Sequence, residues 1–237
     1  MKMAATAQSD TESQTSYSDY SYLSELDETP EELTQSTETV LSISPLPASN
    51  RNGLSYLIAL DYIKQRVDRD GLYWPLGLPE LSGPISPAME TMRAVGAEFE
   101  ERYDMVFDSM MASLEISPDK LYATFMGVAD ELFKDGVAKW GRIVGLYAFG
   151  GLLAVEAIRR NFPNFVGNIL DWVSSYVDTN LAEFMSIEGG WDKFVATFQS
   201  GSVWDTIKKK MMDPSFPGAV LGALSIVTLG AYLAERS

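Results

Sequence analysis

From Leu54 onward, apolar residues return every three or four positions, the spacing of helices that bury one face. The segment "LSYLIALDYIKQRVDRDG" places Leu54, Leu57, Ile58, Tyr62 and Ile63 on one broad face, with Gly71 at its end. "AMETMRAVGAEFEERYDMVFDSM" sets Met92, Val95, Phe99, Tyr103, Val106 and Met110 on one stripe. "SPDKLYATFMGVADELF" carries a second stripe of Leu121, Phe125, Val128 and Leu132, with Ser117 placed to cap it and Pro118 at its first helical position. Between the first two segments, "GLYWPLGLPELSGPISP" is dense in Pro and Gly and reads as a loop. Strand patterns are scarce, so the expected fold class is all-α, as a single helical domain over residues 54–212.

Two later runs are more strongly apolar. Residues 143–155 carry no charge, yet the run is short for a bilayer and predicts a buried central helix. Phe162-Pro163 breaks it, and "NFVGNILDWVSSYV" returns as a second apolar helix, so the pair is expected to form a central hairpin. Gly189-Gly190 then punctuates the chain before "WDKFVATF". The run from Phe216 to Leu233 is uncharged as well; at 1.5 Å per residue it covers roughly 27 Å, close to the hydrocarbon thickness. Its Phe216, Leu221, Leu224, Ile226, Val227, Leu229 and Leu233 predict a transmembrane anchor over residues 216–234, with the lipid bilayer as a partner. A final core helix, or an apolar tail stored in a groove, is the alternative.

Charge changes the picture at the other end. Residues 1–50 hold nine Asp or Glu and one Lys, a net −8 out of −15 for the whole chain. This stretch is rich in Ser, Thr and Glu without sustained periodicity, and is expected to be a disordered acidic tail. Nucleic acid is not an expected partner of so acidic a chain. The sequence contains neither Cys nor His, which removes disulfides, thiolate and histidine-based nucleophilic catalysis and the usual zinc sites. No catalytic residue, cofactor or metal ligand is expected, and the chain is not read as an enzyme.

One short stretch is costly by its composition. "AKWGRIVGLYAFGG" combines Gly141, Gly145, Gly150 and Gly151 with a single arginine, Arg142, at the mouth of an apolar run. Each glycine weakens a helix by roughly 1 kcal/mol relative to alanine. From the residues alone two explanations stand: the glycines and the arginine serve a partner helix, or the glycines relieve crowding inside the fold and Arg142 caps a neighbour.

The same stretch, extended to "ELFKDGVAKWGRIVGLYAFGG" at residues 131–151, resembles the first homology motif of the B-cell lymphoma 2 (Bcl-2) family of apoptosis regulators, with Lys139 in the place of the usual Asn. "DWVSSYVDTNLAEFMSIEGGWDKFVATF" at residues 171–198 resembles the second motif, "MRAVGAEFEERY" at 92–103 the third, and "LIALDYIKQRV" at 57–67 the fourth. The four occur in the family's order and spacing, followed by the apolar run, so the resemblance covers roughly residues 54–234.

That resemblance implies a bundle of eight or nine helices with a surface groove for the third-motif (Bcl-2-homology-3, BH3) helix of pro-apoptotic relatives. It carries Phe99, Tyr103 and Phe107, then Val128 and Leu132, then Gly141, Arg142, Val144, Gly145 and Phe149, and finally Phe198, across as groove residues. Gly141 and Gly145 would let a foreign helix approach closely, and Arg142 would pair with the ligand's aspartate. The implied role is anti-apoptotic, restraining permeabilisation of the mitochondrial outer membrane from its cytosolic face, with the endoplasmic reticulum membrane as a second address. A pore-forming effector of the same fold is the alternative. Ala97 stands where the third motif usually has Asp, which makes this chain's own third motif a poor ligand and favours the receptor role. Lys139 is a poor N-cap and leaves the start of its helix weakly specified.

Overall fold

The computed structural model describes residues 49–199, so the expected acidic tail, apart from Ser49 and Asn50, and the expected anchor lie outside the described residues, as does the end of the expected 54–212 domain. Within them the chain forms eight helices and no strand. They are α1 (Leu54–Arg69), α2 (Pro87–Arg102), α3 (Asp104–Ser113), α4 (Leu121–Phe133), α5 (Trp140–Arg159), α6 (Phe165–Asn180), α7 (Ala182–Glu188) and α8 (Gly190–Gln199). The all-α expectation holds for these residues.

The uncharged run becomes the middle of α5, a 20-residue helix buried along nearly its whole length. It is turned back into α6 by a tight C-terminal motif. Asn161 adopts a left-handed conformation with φ 68°, its N–H bonds Ile158 O at 3.1 Å, and Phe162 N–H bonds Ala157 O at 2.9 Å. Asn tolerates this position, and the two bonds satisfy carbonyls that the helix end would otherwise orphan. The expected hairpin is therefore present, with α1 packed against both of its arms and against α2. α1 ends in the same way at Gly71, whose φ of 70° needs a glycine or its equivalent.

Three local expectations are corrected. Leu54 is exposed, while Tyr56, Ala59, Leu60 and Asp61 are buried alongside Ile58, Tyr62 and Ile63. α1 is enclosed by α2, α5 and α6, so one broad face does not describe it. The stripe from Met92 to Met110 is split at Tyr103, between α2 and α3. The Tyr103 ring folds back onto Phe99, 4.7 Å between centroids, and the break lets Phe107 reach the same ring at 6.0 Å. No Pro or Gly marks this break, which is why spacing did not show it. Finally, Ser117 does not cap α4: residues 118–120 form a turn, and the helix begins at Leu121 after Lys120.

α1 and α2 are clamped together by a partly buried ionic network. Arg93 forks onto the buried Asp61. Glu100 accepts from Tyr62 Oη and from the guanidinium groups of Arg66 and Arg69. Arg66 also holds Asp70 at 2.9 Å, and Asp70 pairs with Arg159 of α5 at 2.8 Å. Burial pushes the Tyr62 hydroxyl well above its ordinary pKa, so it remains a neutral donor. The clamp requires close backbones, and Gly96 supplies them by facing the Tyr62 ring directly.

Candidate helix-binding groove

α5 is the element on which the other candidate walls are built. α2 and α4 both pack against it, while α3 has its main neighbour in α2. The α2–α3 arm and α4 thus stand as separate walls around one apolar helix, an arrangement that suits an amphipathic guest helix.

Each wall places the predicted residues on its core side. Phe99 and Phe107 are buried and Tyr103 is half-buried, and the three rings form one cluster. Val128 and Leu132 are buried on α4. Gly141, Arg142, Val144, Gly145 and Phe149 are buried on α5, where Phe149 stacks on Phe125 of α4 at 6.3 Å. Phe198 belongs to a different cluster. It lies 5.1 Å from Phe194, which joins Trp191 and Trp140.

Those two tryptophans, one from each of the first two motifs, meet at 6.2 Å and were not among the predicted site residues. Trp191 Nε1 donates to Ser55 Oγ at 3.1 Å, Ser55 Oγ donates to Asp178, and Tyr147 Oη donates to Ser55 O at 3.0 Å. One serine at the head of α1 therefore ties α5, α6 and α8 together. The motif tryptophans are anchors of the bundle, and only their size and spacing hinted at it.

Two of the four glycines have a packing reason. A Cβ on Gly150 would lie 2.6 Å from Val173 Cγ2, and one on Gly151 3.3 Å from Arg66 Cγ. These two permit α6 and α1 to close on α5, which is the internal-crowding explanation. Gly141 and Gly145 lie in the first two turns of α5, on either side of Arg142 and Val144.

Arg142 departs from the expectation of a cation waiting at the mouth of a groove. Its side chain is only 6% exposed, and it is already bound. Nη1 and Nη2 grip Asp135 Oδ1 and Oδ2 at 2.5 and 2.8 Å, and Nη1 also donates to Val137 O at 2.7 Å. Asp135 Oδ1 additionally accepts from Val137 N–H at 3.0 Å. The guanidinium, aided by that N–H, holds the Asp135 carboxyl well below the usual carboxylate range. Lys139 is the N-cap residue of α5 and makes no side-chain capping bond, as its chemistry implied. Asp135 lies within the "ELFKDGVAKWGRIVGLYAFGG" stretch but was not among the predicted site residues. Its position seven residues before Arg142, across a turn at Gly136 with φ 69°, was the available signal.

Comparison with known proteins agrees with this architecture. A family model described as "Apoptosis regulator proteins, Bcl-2 family" matches residues 92–191. The Xenopus laevis protein "Apoptosis regulator R1" is 35% identical over 166 residues, which span 67% of this chain and 72% of that protein. The chain belongs to the Bcl-2 family. Human "Bcl-2-like protein 1" is also 35% identical, over 125 residues, and the match spans about half of each protein, 53%. Among solved structures, Trichoplax adhaerens trBcl-2L2, crystallised bound to trBak BH3, shares 31% identity with a TM-score of 0.54 and covers 61% of this chain and 99% of that one. The likeness to that Bcl-2 structure covers more than half of the chain, and the four motif-like segments fall on α1, α2, the α4–α5 junction with the head of α5, and the α6–α8 segment.

Proposed function

We propose that this Bcl-2 family member is an anti-apoptotic receptor. In this reading it sequesters BH3 helices of pro-apoptotic relatives between the α2–α3 arm and α4, and so restrains permeabilisation of the mitochondrial outer membrane. The observation that carries the reading is Arg142, a guanidinium buried at the head of apolar α5 with its neighbours Gly141 and Gly145. A charge so placed sets the register and polarity of a guest helix that the apolar walls alone would leave free to slide. The Trichoplax relative's capture of a BH3 segment supports the same use of the fold.

Two features favour a receptor over a donor of death signals. Ala97 removes the acidic residue that this chain's own third motif would need to engage another arginine. The Asp61–Arg93 and Glu100 networks hold α2 against α1, so releasing α2 would strand buried charges. The effector alternative draws on α5, which is long and apolar enough to cross a membrane by length and composition; 78% of its most apolar window is buried in the bundle. Calorimetric titration with a synthetic peptide of the pattern Leu-Arg-x-x-Gly-Asp-Glu-Phe, paired with dye release from liposomes, separates the two. The receptor binds the peptide and leaves liposomes intact. Dye release that grows on adding the peptide contradicts the proposal.

The proposal places the domain at the mitochondrial outer membrane, and also at the endoplasmic reticulum, through the uncharged run Phe216–Leu233. Deleting residues 216–237 should move the protein from the membrane pellet to the soluble fraction while its helical dichroism persists. A truncated protein that still pellets with membranes contradicts the anchor.

A further inference from the structure

Arg142 presents a physical problem. A guanidinium taken almost wholly out of water is destabilising unless a counter-charge and hydrogen bonds accompany it. Asp135 supplies both, in the two-pronged geometry with which a carboxylate best meets arginine. The Asp135 side chain is 47% exposed, in contrast to Arg142. Asp135 is therefore the solvent-accessible member of the pair, the one an outside group reaches first. Its low pKa keeps it charged across the physiological range.

We infer that Asp135 is an internal stand-in for the ligand's carboxylate and sets how sharply the groove distinguishes guest helices with and without an acidic residue opposite Arg142. This rests on the groove reading above and goes beyond it. A guest carboxylate arriving at Arg142 meets a site already neutralised, and it meets the negative charge of Asp135 as well. It must share the guanidinium or displace one prong of the existing pair. A guest with alanine at that register leaves the Asp135–Arg142 pair in place and forgoes only the extra bond. Asp135 thus stabilises the empty receptor, narrows the preference for acidic guests and leaves weaker motifs able to bind. Asp135 acts through Arg142 and is a positioning residue, so discrimination between guests is its signature, more than overall affinity.

The test is Asp135→Asn in the full chain, titrated with the Leu-Arg-x-x-Gly-Asp-Glu-Phe peptide and with its Asp→Ala analogue. Asn keeps the shape and removes the charge. The pair is partly exposed, so the acidic peptide should bind about three- to tenfold more tightly to the variant, the scale of one such interaction. The alanine peptide should bind no better than before, so the ratio of the two affinities widens. An unchanged or narrowed ratio, or weaker binding of the acidic peptide, overturns the inference. If removing the counter-charge lowers the melting temperature too far for titration, the peptide-induced rise in Tm reads the same coupling. The acidic peptide should then raise Tm further in the variant than in the unmodified protein, and equal rises overturn the inference. Failure of the acidic peptide to bind the unmodified protein is a different outcome: it contradicts the groove reading itself, and the inference with it.

Discussion

Replacing Gly96 with alanine is expected to lower the stability of the domain by about 3 kcal/mol, the upper end of the usual range for overpacking. A Cβ there would lie 2.4 Å from Tyr62 Cε2 and 2.8 Å from Cζ and Oη, closer than real Cβ atoms come. The ring cannot swing away cheaply. It is 3% exposed, and its hydroxyl is held by Glu100, which also gathers Arg66 and Arg69. Relief must come from separating α1 and α2, which loosens the whole clamp. Urea denaturation at constant m measures the loss. Pairing the change with Tyr62→Leu should recover part of it, because the two substitutions act on one contact and their effects do not add. A loss below about 1 kcal/mol would mean that α1 and α2 are not pressed together at this point.

The Gly96 contact also shows where sequence reasoning stopped. The apolar stripes and the buried hairpin were legible because each is a local pattern: a period of three to four, a charge-free run, a Pro or Gly at a boundary; the four motifs were legible through their resemblance to the family's. The bend at Tyr103 was not, because it goes with two rings, Tyr103 and Phe107, meeting on Phe99, with no breaker in the chain. The late start of α4 was missed for a related reason. Ser117-Pro118 has the chemistry of a helix start, but the chain uses it for a turn, in which Lys120 N–H bonds Ser117 O at 3.1 Å. The four glycines of residues 138–151 looked alike in sequence. Only packing shows that Gly150 faces Val173 and Gly151 faces Arg66.

The candidate site divides in the same way. Residue type and motif position picked out Arg142 and its apolar neighbours. They could not reveal that Arg142 is enclosed and gripped by Asp135, because a pair of charges seven residues apart is unremarkable until a turn folds one onto the other. Trp140 and Trp191 lie 51 positions apart and share a cluster only through the contact of α5 with α8. Long-range aromatic contacts of this kind leave no periodic trace.

The largest binding effect is expected at Arg142. Arg142→Ala should weaken binding of the Leu-Arg-x-x-Gly-Asp-Glu-Phe peptide by about 2–5 kcal/mol, the range for removing one partner of a buried, hydrogen-bonded charge pair. The lower half of that range is expected, because Asp135 already shares the guanidinium in the free protein. Changing the peptide's aspartate to alanine should weaken binding to the unmodified protein by a comparable amount. The apolar walls should hold residual affinity in both cases.

The decisive measurement is the double-mutant cycle by calorimetry: both proteins against both peptides, with the fold of Arg142→Ala checked by helical dichroism. The account predicts that the combined change costs little more than either change alone, since each removes the same interaction. Losses that simply add, in a protein whose helices remain intact, would mean that Arg142 does not meet the guest's aspartate, and would contradict the groove at its central contact.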